Sequence, residues 1–159
     1  MKLIFLDIDG VLNNEQWYSS GKAQIAYLLT GENDIKAYNF DPDNWKWVEK
    51  LIQDTCAKIV ISSSWRSFSL EKTIEDFTGT AFEPLVKYIV GVTTYSFERH
   101  RGKEIQHYLD NCTEQIESYV IFDDDTDVLE NQRDNFVHTD FFNGVTEKDY
   151  IKAKEILNE

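Results

Sequence analysis

The sequence predicts an open α/β fold, a parallel sheet whose strands are joined by crossover helices. Three observations point there. Short apolar runs at residues 3–6, 58–61 and 118–122 read as buried strands. Amphipathic stretches alternate with them, the rhythm of a parallel sheet. Each of these strands ends in a reactive polar group: Asp7 and Asp9, Ser62 and Ser63, Asp123 and Asp124. Ligands of open α/β sheets bind outside the carboxyl ends of the strands.

The 159 residues suit a single domain, 1–159, long enough to bury a five-stranded core. A net charge of −13 disfavours nonspecific nucleic-acid binding and favours cations. Cys56 and Cys112 lie far apart, in no zinc-binding spacing, and read as buried free thiols of a reducing, cytoplasmic compartment. The apolar run at 3–6 is too short for a signal peptide, and no stretch is long enough to span a membrane.

The first strand covers residues 2–7. Residues 14–42, which include the candidate flap at 14–40, lack a steady period, apart from a short helix at 24–29 and a turn at 31–34. Their scattered aromatics, Trp17, Tyr18, Tyr27, Tyr38 and Phe40, either pad the core or form a flap over Asp7. Asp41-Pro42-Asp43 opens a helix, with Asp43 as its N-cap and Trp45, Val48, Leu51 and Ile52 on one stripe. It leads into the strand at 58–61. A helix over 69–77 follows, stopped by Gly79. Residues 82–90 are ambiguous, and 90–94 form a short strand.

Arg99-His100-Arg101-Gly102-Lys103 precedes a helix carrying Ile105, Tyr108, Leu109 and Cys112. Cations at a helix start oppose its dipole, so this cluster and the free amides of the first turn suit an incoming anion. The strand at 118–122 runs into Asp123-Asp124-Asp125-Thr126-Asp127, a concentration of carboxylates that calls for a divalent cation. Residues 135–139 form a last strand, where His138 has a structural role. Thr146 caps a final helix through 157, with Tyr150, Ala153 and Leu157 inward.

These groups meet the needs of phosphoryl transfer: a nucleophile, an acid for the leaving group and positive charge on the phosphate oxygens. Asp7 can attack and form an aspartyl-phosphate. Asp9 can protonate the leaving oxygen and then activate water. Mg²⁺ would offset the repulsion between carboxylate and phosphate, held by Asp7, the Asp9 carbonyl and Asp123, with Asp124 close by. Ser63 or Ser62 would bond one phosphoryl oxygen, and Arg101 or Lys103 would neutralise another.

With these residues the chain resembles the haloacid dehalogenase-like (HAD) superfamily of phosphohydrolases. Asp7-Ile8-Asp9-Gly10-Val11 is similar to its first motif, Ser62-Ser63-Ser64-Trp65-Arg66 to the second, Arg101 or Lys103 to the lone basic third, and Val120-Ile121-Phe122-Asp123-Asp124 to the acidic fourth. The start D-x-D-G-V-L-N, the serine-tryptophan-arginine stretch and the R-G-x-E-I helix resemble its small capless members, some of them phosphatase domains of RNA-repair proteins. The resemblance implies a Rossmann-like three-layer α/β/α sandwich, with five parallel strands in the order 3-2-1-4-5 and little or no cap. It also implies a Mg²⁺-dependent phosphomonoesterase with an open site; the net charge of −13, which opposes a long polyanion, points to a small phosphorylated metabolite or nucleotide as substrate, and no membrane partner and a monomer are expected. The alternatives are a phosphatase of nucleic-acid ends, a phosphotransferase and a phosphate-binding module without turnover.

Overall fold

The computed structural model describes residues 1–30, 40–80, 82–95 and 98–158. In chain order the elements are β1 (Lys2–Leu6), α1 (Glu15–Ser19), α2 (Lys22–Thr30), α3 (Pro42–Thr55), β2 (Lys58–Ile61), α4 (Leu70–Phe77), α5 (Glu83–Val86), β3 (Ile89–Val92), α6 (Arg101–Asn111), β4 (Ser118–Asp123), β5 (Phe136–His138) and α7 (Glu147–Asn158). A 3₁₀ segment, Glu130–Asn135, precedes β5. The five strands are all parallel, in the order β3-β2-β1-β4-β5.

β1 lies at the centre, and Leu3 to Leu6 are fully buried. A strand covered on both faces cannot alternate, hence its unbroken apolar run. On one face Ile4, Leu6, Ile59, Ile61 and Phe122 pack against Val48, Leu51 and Ile52 of α3 and Tyr150, Ala153 and Leu157 of α7. On the other, Leu3, Phe5, Val60 and Ile121 pack against Ile105 of α6. Tyr108 of α6 lies so close to Gly91 of β3 that a Cβ there would sit 2.3 Å from its hydroxyl. This is the expected three-layer Rossmann-like sandwich, and residues 82–90 resolve into α5 and the start of β3.

Several local expectations are corrected. The N-cap of α3 is Asp41, whose carboxylate accepts from Asp43 N–H at 2.9 Å; Pro42, with no N–H to offer, fills the first helical position. The cysteines are free but not buried. Cys56 is exposed, because it ends α3 in the left-handed conformation (φ 58°), and Cys112 is half-buried at the end of α6. In the segment 14–40, Trp17 and Phe40 are buried and join the core side. Tyr38 and the turn expected at 31–34 lie outside the described residues. No described helix is long and apolar enough to cross a membrane.

The chain runs from β1 outward to β2 and β3, then returns to place β4 on the opposite side of β1. The crevice of an open α/β sheet lies at such a reversal. Leu6 is level with Phe122 and with Ile61. Asp7, Asp123 and Ser62-Ser63 therefore leave the sheet at one height.

Candidate active site

Asp7 is the first residue past β1, and its N–H still donates to Phe122 O at 3.0 Å. Its carboxylate is buried, with Oδ1 accepting from Ile8 N–H at 2.8 Å. The chain then turns, and the Ile8 carbonyl collects the N–H groups of Val11, Leu12 and Asn13. Gly10 sits in this turn at φ +67°. A Cβ on it would lie 2.4 Å from Asp124 Cγ, so the missing side chain is what admits the Asp124 carboxylate.

The turn separates the two carboxylates that an extended chain would hold on one face. Asp7 stays buried and Asp9 is exposed. Both oxygens of Asp9 are held: Asn13 Nδ2 donates to Oδ1 at 2.9 Å, and Trp65 Nε1 donates to Oδ2 at 2.8 Å. Trp65 is steadied in turn against Phe40, with ring centroids 5.7 Å apart.

At the end of β2 the serines diverge. The Ser63 hydroxyl is hydrogen-bonded to the Asp7 carboxyl and accepts from Trp65 N–H at 3.3 Å. Ser62 Oγ is buried with no hydrogen-bond partner. Consecutive strand residues point to opposite faces, so one of them alone can reach Asp7.

Arg101 and Lys103 diverge for the helical version of the same reason. Two residues along α6 turn the side chain about 200° around the axis. Arg101 Nε donates to Asp123 Oδ2 at 2.9 Å, and its Nη2 is 3.6 Å from Asp7 Oδ2. Lys103 instead pairs with Glu98 at the surface. The first-turn amides of α6 are not open to an anion as the sequence suggested. Asp127 takes them, its Oδ2 from Arg101 N–H at 2.8 Å and its carbonyl from Gly102 N–H at 2.9 Å.

Behind Arg101 lies a buried ion chain. Glu104 Oε2 is 3.7 Å from Arg101 Nη1 and accepts from Arg66 Nη2 at 2.6 Å. Arg66 Nη1 also donates to the Ser63 carbonyl at 2.5 Å. Charges thus alternate from Arg66 through Glu104 and Arg101 to the acidic site.

Asp7, Asp123 and Asp124 each offer an oxygen within 4.8 Å of the others. Burial raises the Asp7 carboxyl above its ordinary value, and Arg101, the Ser63 hydroxyl and the Ile8 N–H only partly oppose it. Burial, then Asp7, push Asp123 up to about 8 against the pull of Arg101. Asp124 is pushed up to about 6 by burial and then by Asp7 and Asp125. Burial draws the Arg101 guanidinium down, yet Asp7, Asp123 and Glu104 hold it above its ordinary value. The guanidinium faces two of the three crowded carboxyls, Asp7 and Asp123. An all-oxygen, anionic donor set of this kind fits a hard divalent cation such as Mg²⁺. The Asp9 carboxylate is outside the trio. His138 donates from Nε2 to the Asp124 carbonyl at 2.8 Å and so steadies the acidic turn.

The model of the family described as "HAD domain in Swiss Army Knife RNA repair proteins" matches residues 3–150. The chain belongs to this family. The HAD assignment brings with it phosphohydrolase-type chemistry, and it agrees with the strand order and with the acidic trio at the carboxyl edge. No match was found among curated proteins or among solved structures.

Three residues of this HAD site had no role assigned from the sequence: Asn13, Trp65 and Glu104. Glu104 had a readable signal. It is an acid three residues after Arg101, beside the core residue Ile105, where only a paired carboxylate is tolerated. Asn13 and Trp65 gave none, because their bonds to Asp9 depend on how two turns meet.

Proposed function

We propose that this HAD domain is a Mg²⁺-dependent phosphomonoesterase working through an aspartyl-phosphate on Asp7, with a small phosphorylated metabolite or nucleotide as substrate. The observation that carries the reading is the set of groups on one carboxylate: Asp7 is bonded to Ser63, faced by Arg101 and crowded by Asp123 and Asp124. A carboxylate meant only to be solvated would not be buried in that company.

An Asp7 carboxylate oxygen attacks phosphorus and the ester P–O bond breaks. The leaving oxygen takes its proton from Asp9, whose carboxyl is oriented by Asn13 and Trp65. Water then attacks the phosphorus, its proton passes to Asp9, and Asp7 is released. Ser63 and Arg101 supply a hydroxyl and a guanidinium to the phosphoryl oxygens, and removing one such donor costs on the order of 3 kcal/mol in the barrier. Bound by Asp7, Asp123 and Asp124, with the Asp9 carbonyl, Mg²⁺ would offset the charge between carboxylate and phosphate.

The family's description favours a second reading, a phosphorylated RNA end. The net charge of −13 opposes a long polyanion. A hydrolysis screen with Mg²⁺ over nucleotides, sugar phosphates, phosphopeptides and end-phosphorylated oligonucleotides tests both, with Asp7→Asn as control. Activity surviving in Asp7→Asn overturns the mechanism. A steep fall of oligonucleotide binding with salt would favour the RNA end.

A further inference from the structure

Beside Arg101 opens a cleft of about 440 Å³. Tyr95 lines it and is half exposed. The ring is held in two ways. Its hydroxyl lies 3.2 Å from the Ser64 carbonyl and 3.1 Å from the Arg66 carbonyl, and donates to this pair. The Arg66 guanidinium lies over the ring, 3.9 Å from its centroid. Arg66 is itself buried and fixed by Glu104 and the Ser63 carbonyl. An aromatic surface backed by an immobile cation and tethered at its tip loses little freedom when a second planar group stacks on it.

The cleft adjoins the reacting centre through two links. Arg101 both lines it and faces Asp7. The Arg66 that backs Tyr95 also holds the backbone of Ser63, whose hydroxyl is bonded to Asp7. A leaving group on a phosphate at Asp7 would therefore extend along Tyr95.

Charge decides what the leaving group is. Arg66, Arg99 and Arg101 line the cleft, and so do Glu104, Asp125 and Asp127. Three cations against three carboxylates give no surplus for a second phosphate. Arg66 and Glu104 are spent on each other, but Asp125 and Asp127 give acceptors for ribose hydroxyls and exocyclic amines, and Arg99 with the Ser64 hydroxyl gives donors for base carbonyls and ring nitrogens. A bare phenyl ring would leave these polar groups unmatched.

We propose that this cleft binds the uncharged nucleoside of a single nucleotide, its base stacked on Tyr95. As a substrate assignment the proposal rests on the phosphatase reading, but the binding it predicts does not. Calorimetric titration with adenosine, which has no phosphate to hydrolyse, tests it directly. Wild-type protein binds adenosine, and Tyr95→Leu weakens that binding on the order of 10- to 100-fold, the loss of one base–aromatic stack. Tyr95→Trp keeps or tightens it and guards against a Leu variant that folds poorly. The kcat/KM ratio of adenosine monophosphate to glycerol phosphate falls by a similar factor in Tyr95→Leu. No binding of adenosine to the wild type, or equal binding to Tyr95→Leu, overturns the proposal. So does a preference for adenosine 3′,5′-bisphosphate or for phosphotyrosine over adenosine monophosphate. Adenosine binding that depends on Tyr95, with no hydrolysis of any ester, would sink the phosphatase reading and leave the cleft assignment standing.

Discussion

Replacing Gly10 by alanine perturbs the point where β1 hands its carboxylates to the site. Two costs add. At φ +67° an L-residue is disfavoured by roughly 1–2 kcal/mol. The new Cβ would also lie 2.4, 2.6 and 2.7 Å from Cγ, Oδ2 and Cβ of Asp124. The clash reaches the Asp124 Cβ, so the residue cannot escape by swinging only its tip, and its carbonyl is tied to His138. Overpacking of this kind costs about 1–3 kcal/mol. The sum is about 2–5 kcal/mol, or a fall in Tm on the order of 4–20 °C for a chain of this size. Gly79→Ala is the matched comparison, since Gly79 also has positive φ (+77°) but nothing within 4 Å of the added Cβ. It should lose only the conformational part, roughly 1–2 kcal/mol. Thermal denaturation of the three proteins measures the difference, and calorimetry with Mg²⁺ shows whether displacing Asp124 weakens metal binding. If Gly10→Ala melts with Gly79→Ala and binds Mg²⁺ as tightly as wild type, Asp124 is neither packed on Gly10 nor part of the metal site.

Three further outcomes follow from the same geometry. Asp123 and Asp124 are raised to about 8 and about 6 from an unfolded value of 3.8, so their contribution is fully present below 3.8 and is lost as pH rises through about 6 and then about 8. In chelator, Tm should therefore climb as pH is lowered from about 9 to about 6, and saturating Mg²⁺ should flatten the slope; a Tm that falls over that range contradicts the placement of these carboxyls. Glu104→Ala leaves Arg66 without a carboxylate in the interior, while Arg101 keeps Asp7 and Asp123, and should cost about 3–5 kcal/mol in urea unfolding; Glu104→Ala with Arg66→Met recovers part of it, and a loss below about 1 kcal/mol would mean the ion chain is solvated. Trp65→Phe keeps the contact with Phe40 but removes the N–H on Asp9, so kcat should drop roughly 10-fold or more with Tm changed little; an unchanged kcat removes Trp65 from the positioning of Asp9.

What the sequence disclosed depended on whether one element settled the matter. β1 is covered on both faces, and burial wrote itself into an unbroken apolar run. β3 was harder, because Gly91 interrupts it and Val90 points to solvent, leaving too little pattern to separate it from α5. Asp41 could have been recognised as the cap of α3, since Pro42 at the first helical position requires a cap before it. The choices between Ser62 and Ser63, and between Arg101 and Lys103, turn on which side of an element faces Asp7. Strand and helix periods show that each pair must split, but not which member faces inward. The roles of Asn13 and Trp65 were out of reach, for they arise where the turn after β1 meets the turn after β2.

The central claim is that Asp7 is the nucleophile. Acid quenching during turnover of a phosphate monoester with Mg²⁺, followed by peptide mass spectrometry, tests it most directly. Asp9→Asn, which lacks the base for the second step, should accumulate the intermediate if the leaving group departs without help, as in acetyl phosphate. The account predicts one phosphoryl group on the peptide bearing Asp7, absent from Asp7→Asn. Turnover in the wild type with no such adduct in either protein, together with activity retained by Asp7→Asn, would contradict it.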